Sequence, residues 1–120
     1  MPYGVPFFIP KTMNNKKNHK DFDRVVKILS TTSQKHPITS YEILDLINRR
    51  RSILNYLQDS HLRVIIHSIR KQGVLPVISG STGYYVSYDE DEIKRVYDSL
   101  MNRSLAIQEA AIALKLHFLP

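Results

Sequence analysis

The chain has 120 residues, a formal net charge of +6 and no cysteine. That length holds one small domain with appendages, and the lack of cysteine excludes disulfides, a thiol nucleophile and Cys-type zinc sites. No apolar run approaches the roughly eighteen residues of a membrane span, and Pro2, Pro6 and Pro10 make the start a poor signal peptide, so we expect a soluble cytoplasmic protein.

The positive charge is concentrated in the first part of the chain. Residues 1–73 carry 13 Lys and Arg against 5 Asp and Glu, whereas residues 74–120 carry 4 against 6. A protein that is basic on one side suits a polyanionic partner, although charge alone also fits a basic protein without such a partner.

The chain is predicted to start with a basic arm and a first helix. Residues 1–20 have no helical period and are rich in Pro, Asn and Lys, which indicates a flexible arm. Alternatively, the cluster Phe7-Phe8-Ile9 docks on the domain. The first helix is predicted from Asp21 to about Gln34, where His36-Pro37 prevents continuation. Its buried stripe is Phe22, Val25, Val26 and Leu29.

A capping box predicts the second helix. Thr39 and Glu42 are spaced so that their side chains satisfy free amides at a helix start. The helix is predicted from about Ser40 to Asn48, and its expected buried residues are Ile43, Leu46 and Ile47. Arg49–Arg51 and residues 52–57 follow, and they either extend this helix or form a separate turn.

The third helix is predicted over Ser60–Gly73, a stretch without acids. Leu62, Ile65, Ile66 and Ile69 fall at helical spacing and form a face for burial. The opposite face carries the polar and basic residues that we single out for function: Ser60, Val64, His67 and Lys71, with Arg63 and Ser68 beside them.

A short β-hairpin is predicted directly after this helix. Gly73 is a natural helix stop, and Val74–Ser79 and Tyr84–Ser87 read as strands around the turn Gly80–Gly83. Because Tyr84 and Tyr85 alternate across a strand, one of them is expected in the core and the other exposed.

These elements, in this order, resemble a winged helix-turn-helix DNA-binding domain, of the type found in small bacteriophage and prophage proteins. The resemblance rests on His61–Gly73, Leu75–Ser79 and Gly83-Tyr84-Tyr85. It implies a mainly α fold with a small β-hairpin, with residues 21–87 forming the winged-helix domain. It also implies that the third helix enters the major groove of double-stranded DNA while the wing lies along the phosphates. The Arg-rich link Asn48–Asp59 is longer than a minimal helix-turn-helix turn.

The side chains on this surface have the chemistry that DNA contacts need. Arg63 can offer a bidentate fork to guanine, and His67 and Ser68 can hydrogen-bond base edges. Short hydroxyls of the wing suit phosphates, and the arginine run adds attraction that is independent of sequence. The full predicted set is Arg49, Arg50, Arg51, Ser60, Arg63, Val64, His67, Ser68, Lys71, Ser79, Ser81 and Thr82.

Several polar residues in this region also have a purely structural interpretation. His61 and His67 fit ordinary surface histidines equally well, and the arginine run is a solvated surface in most proteins. Arg70 lies nearer the buried face, which is more typical of a structural residue than of a base reader.

Residues 88–120 are predicted to form a long last helix, capped at Asp89 with a capping box to Glu92. A heptad seam runs through it and is interrupted by Arg103. The seam either pairs with a second copy or folds back over the first helix, and we favour a homodimer. The expected dimerisation residues are Ile93, Val96, Leu100, Ile107 and Leu114.

No catalytic site, metal site or cofactor is predicted. The five histidines are scattered without metal-ligand spacing, and no glycine-rich phosphate loop or nucleophile elbow is present. We expect a small phage- or prophage-type regulator that acts on transcription or DNA replication initiation, in the cytoplasm of a bacterium or a phage-infected host cell. The alternative is a winged-helix module that recruits a protein partner, such as a replication or packaging factor.

Overall fold

The computed structural model describes residues 16–120, with side chains from residue 19 onward. The chain divides into two compact units, one ending at Ser87 and the other spanning Tyr88–Pro120. The described residues are mainly helical with one small antiparallel hairpin, as the expected fold class required. The elements are α1 (Lys16–Ser30), α2 (Ser40–Asn48), α3 (Asp59–Lys71), β1 (Val77–Gly80), β2 (Gly83–Val86) and α4 (Glu90–Phe118).

Helix α1 begins five residues before the predicted Asp21 and ends at Ser30, short of Gln34. It ends early because three consecutive side-chain hydroxyls donate hydrogen bonds to backbone carbonyls three residues earlier. These bonds compete with the backbone hydrogen bonds that would continue the helix. The hydroxyls belong to Ser30, Thr31 and Thr32, whose oxygens lie 2.6–2.7 Å from the carbonyls of Lys27, Ile28 and Leu29. Lys16–Lys20 is thus helical, in contrast to the predicted arm, and the Phe7-Phe8-Ile9 cluster lies outside the described residues.

Helix α2 has the predicted bounds and the predicted capping box. The Glu42 amide donates to Thr39 Oγ1 at 3.1 Å, and the Thr39 amide donates to Glu42 Oε1 at 3.0 Å. Ile43 and Ile47 are buried, whereas Leu46 is 47% exposed, so the prediction that Leu46 is buried is wrong. Positions four apart share one face of a helix, so Ile43 and Ile47 are buried together. Leu46 lies beside this narrow buried stripe.

The link between α2 and α3 is a separate turn and not an extension of α2. A single 3₁₀ turn spans Ile53–Asn55. The Asn48 side chain closes the link, because its Nδ2 donates to the Leu57 carbonyl at 3.1 Å and its Oδ1 accepts from the Leu57 amide at 2.8 Å. Leu57 is thereby held in the core, at 4% exposure.

One hydrophobic core joins the three helices and the hairpin. Helix α3 packs against α1, α2 and β1, and α1 also contacts β2. The buried cluster contains Val25, Leu29, Ile43, Ile47, Leu57, Leu62, Ile65, Ile66, Ile69 and Val77.

The hairpin is short and is held to the helices by backbone hydrogen bonds. Ser79 pairs with Tyr84 and Gly80 with Gly83, which leaves a two-residue loop. Ile38 pairs with Tyr84 in both directions, with N···O distances of 2.9 and 2.7 Å. Tyr85 is buried and Tyr84 half-buried. The first strand begins later than predicted, after Pro76, which has no amide proton for a ladder.

The second unit is the single helix α4, which spans 29 residues. Asp89 caps it, since its Oδ1 accepts from the Asp91 amide at 3.0 Å, and the following acids favour the positive end of the helix dipole. None of its residues is buried. Among residues 16–120, no helix combines the length and the apolar character that crossing a membrane requires.

Candidate nucleic-acid interface

The outward face of α3 presents most of the residues predicted for it. Ser60, Arg63, His67 and Lys71 are exposed, and Val64 is half-buried against the core. The helix begins one residue earlier than predicted and so includes an acid, Asp59. Asp59 Oδ2 lies 3.1 Å from Arg63 Nε, in a pair whose side chains are 45% and 74% exposed. Such exposed pairs contribute about 0.2–1 kcal/mol, so Arg63 can leave Asp59 for another partner at little cost.

Ser68 does not belong to this face. Its exposure is 3%, so the prediction that it hydrogen-bonds base edges is wrong. Helix α3 contacts three neighbouring elements and therefore buries a wider sector than its apolar stripe. A serine beside that stripe is small enough to be covered as well.

The arginine run divides between the surface and the core. Arg49 and Arg50 are exposed, and Arg49 forms an ion pair of 3.0 Å with Asp45 one turn earlier. Arg51 turns inward and binds the Asp21 carboxylate, with side-chain exposures of 17% and 1%. The structure therefore contradicts the prediction that Arg51 is a surface cation for DNA. A buried carboxylate must be paired, and Arg51 is the residue that reaches Asp21.

Arg70 joins α3 to the hairpin, in agreement with its expected structural role. Its Nε donates to the Val77 carbonyl at 2.9 Å, and its guanidinium also donates to Ser79 Oγ. Partial desolvation lowers the pKa of Arg70, and the charge interaction with Tyr84 acts in the opposite direction. The bridge joins the last turn of α3 to strand β1 of the hairpin.

The hairpin turn and the start of α2 enclose a hydroxyl-rich groove. The predicted wing residues Ser79, Ser81 and Thr82 are all exposed. They line an open groove of about 580 Å³, together with Thr39, Ser40, Gly80, Gly83 and Tyr84. Short hydroxyls hydrogen-bond phosphate oxygens, whereas the start of α2 is already capped by Thr39 and the Glu42 carboxylate.

Comparison with family models, with curated proteins and with solved structures finds no match.

Thr39 and Ser40 are surface residues that the sequence-based set omits. In the sequence, the capping box marked Thr39 and Ser40 only as the start of α2. Nothing in the local sequence indicates that the hairpin turn lies beside it, because that depends on the pairing of Ile38 with Tyr84. In the part of the chain that the structure describes, no group of His, Asp and Glu is suited to hold a metal ion.

Proposed function

We propose that this protein binds double-stranded DNA through a winged helix-turn-helix arrangement, with α3 in the major groove and the hairpin along the phosphate backbone. The Arg70 bridge is the observation that carries the proposal. It joins the last turn of α3, the helix that exposes Ser60, Arg63, His67 and Lys71, to the strand that leads into the turn of short hydroxyls. A basic helix joined directly to a hairpin with short hydroxyls suits the groove and backbone of a duplex.

The α3 residues divide by role. Arg63 is the base reader, since its guanidinium can donate two parallel hydrogen bonds to guanine O6 and N7. His67 lies one turn further along the same exposed face and offers ring nitrogens to a neighbouring base edge. Lys71, at the end of the helix, supplies charge for a phosphate.

Further contacts with the backbone come from the end of α2 and from the hairpin. Arg49 and Arg50 supply charge that does not depend on base sequence. Ser79, Ser81 and Thr82 donate hydroxyl hydrogen bonds to phosphate oxygens. Arg51 and Ser68 have no part in this interface.

The proposed biological role rests on the resemblance of the sequence to DNA-binding domains of small bacteriophage and prophage proteins. We propose a regulator of transcription or of replication initiation that acts in the cytoplasm of a bacterium or an infected host cell.

A second candidate function is recruitment of a protein partner. It is favoured by apolar side chains on the link between α2 and α3, where Ile53 is 77% and Leu54 94% exposed. Exposed apolar clusters of this kind mark interaction surfaces. The exposed residues of α3 itself are all polar, and Val64 is half-buried. This polarity favours DNA as the main partner.

Binding to duplex DNA is expected to weaken steeply with salt. Four cations, Arg49, Arg50, Arg63 and Lys71, give an expected slope of about −3 to −4 for log K against log salt per bound chain. Fluorescence anisotropy with a labelled random-sequence duplex, from low salt upward, measures this slope. The slope should be unchanged for Arg95→Glu, which alters an exposed charge on α4, outside the proposed interface. The absence of binding to any duplex at low salt would refute DNA binding.

Arg63 and the Arg49–Arg50 pair are expected to affect different properties. Once a preferred site has been selected from random duplex DNA, Arg63→Ala should reduce the ratio of specific to non-specific affinity by roughly 5- to 100-fold. The double variant Arg49→Ala/Arg50→Ala should weaken both affinities by the same factor and leave the ratio unchanged. If Arg63→Ala also leaves the ratio unchanged, α3 does not read base sequence.

A further inference from the structure

Helix α4 carries a continuous uncharged face with large exposed side chains. Its positions alternate in steps of four and three, the spacing of a coiled-coil seam. Six large apolar side chains on it are 38–78% exposed. The eight positions are Ile93, Tyr97, Leu100, Ser104, Ile107, Ala111, Leu114 and Phe118.

This face differs from the seam predicted through Arg103. The two share one row, Ile93, Leu100, Ile107 and Leu114. In the second row, the predicted seam used Val96, Arg103 and Ala110, whereas the face described here uses Tyr97, Ser104, Ala111 and Phe118. Burying an unpaired arginine is strongly unfavourable. The new row avoids that cost, because Arg103 then lies at the edge of the contact.

The sizes of the side chains along this face are complementary when a second copy runs in the opposite direction. Leu100 then lies opposite Ala111, and Ser104 opposite Ile107, so that each small residue faces a large one. Outside these, Tyr97 faces Leu114 and Ile93 faces Phe118. A parallel pair would instead place Ser104 on Ser104 and Ala111 on Ala111, which leaves voids, and would crowd the aromatic rings together. Well-packed interfaces place large residues opposite small ones, as the antiparallel pair does.

The charges at the two ends of α4 favour the same direction. Its first turn holds Glu90, Asp91 and Glu92, and its last turn holds Lys115 and His117. An antiparallel pair brings the acidic end of one helix beside the basic end of the other, and it also sets the two helix dipoles in opposition. A parallel pair would place the acidic ends side by side.

The face is large enough for a stable contact between two copies. Tyr97 and Phe118 are 59% and 78% exposed. Since an aromatic side chain can bury 150–250 Å², the four rings of two copies alone contribute roughly 400–700 Å² of a standard interface of about 1,600 Å². The aliphatic positions add to this along a helix of about 43 Å.

We propose that α4 pairs with α4 of a second copy in antiparallel orientation, with Leu100 of each copy opposite Ala111 of the other. The first residues of the two helices then lie about 45 Å apart along the pair, so the two units that end at Ser87 attach at opposite ends. The dimer has two-fold symmetry, and each copy contributes the same face. This proposal does not depend on DNA binding.

Directed disulfide formation tests the orientation, because the chain has no cysteine of its own. Copies carrying Leu100→Cys and copies carrying Ala111→Cys, with tags of different size, are mixed and oxidised. The antiparallel register predicts a disulfide only between the two kinds of copy, since identical positions lie about 16 Å apart along the pair, beyond disulfide reach. Glu109→Cys, on the outward side of the helix, is the control for collisional cross-linking.

Other outcomes overturn the proposal. Disulfides between identical copies, Leu100→Cys with itself or Ala111→Cys with itself, would show a parallel pair. Sedimentation equilibrium of the unaltered chain is expected to give a dimer at tens of micromolar. A monomer at this concentration would exclude the dimer. A dimer whose mixed copies form no cross-link would show that the chain associates through another surface. Ala111→Cys adds only one sulfur atom to the side chain, so this variant is expected to keep the fold.

Discussion

Replacing Asp21 by alanine is expected to lower the free energy of unfolding by about 3 kcal/mol, because it leaves the Arg51 guanidinium without its carboxylate partner in a mostly buried position. Urea denaturation followed by circular dichroism, at one fixed protein concentration, measures the change. Asp23→Ala is the matched control, since Asp23 lies two residues further along α1 and is exposed. That change should cost less than about 0.5 kcal/mol.

A double variant separates the charge of this pair from its packing. Asp21→Leu/Arg51→Met replaces both charges by apolar side chains, and it should recover much of the loss, because a buried ion pair often contributes little more than a well-packed apolar pair. Affinity for DNA should be unchanged in the double variant, since Arg51 faces the core. Equal stability of the Asp21→Ala and Asp23→Ala proteins would contradict the assigned role of Asp21.

The elements that the sequence predicts well are those determined by neighbouring residues. Helix α2 has the predicted bounds because Thr39 and Glu42 form its capping box within three residues of each other. The exposure of Arg63 and the burial of Ile66 follow in the same way from helical spacing on α3. Such local rules do not require knowledge of the rest of the fold.

The errors concern residues whose environment depends on distant parts of the chain. Three arginines in a row look equivalent in sequence, but only Arg51 reaches Asp21, thirty residues earlier, because the link turns at Ile53–Asn55. Ser68 is buried because three elements converge on α3. No periodicity within α3 distinguishes it from an exposed serine, so this part of the candidate site could not be predicted.

Gly83→Ala is expected to lower the free energy of unfolding by about 3–4 kcal/mol, through backbone strain together with a steric clash. Gly83 has φ of +136°, a conformation that residues with a side chain rarely adopt. An added Cβ would also lie 2.6 Å from the Ile38 carbonyl oxygen. That oxygen accepts the hydrogen bond from the Tyr84 amide, so the backbone pairing would have to open to admit the methyl group.

Gly73→Ala separates the two causes. Gly73 also has a positive φ, +71°, but an added Cβ there would meet nothing within 4 Å. Only the left-handed backbone is penalised at this position, so about 1–2 kcal/mol is expected. Chemical denaturation of both variants measures the difference. Equal losses would mean that the contact between Gly83 and Ile38 is not formed in solution. Because this contact holds Ser81 and Thr82 beside α2, a larger loss for Gly83→Ala should be accompanied by weaker DNA binding when the variant is still folded, whereas Gly73→Ala should leave the affinity nearly unchanged.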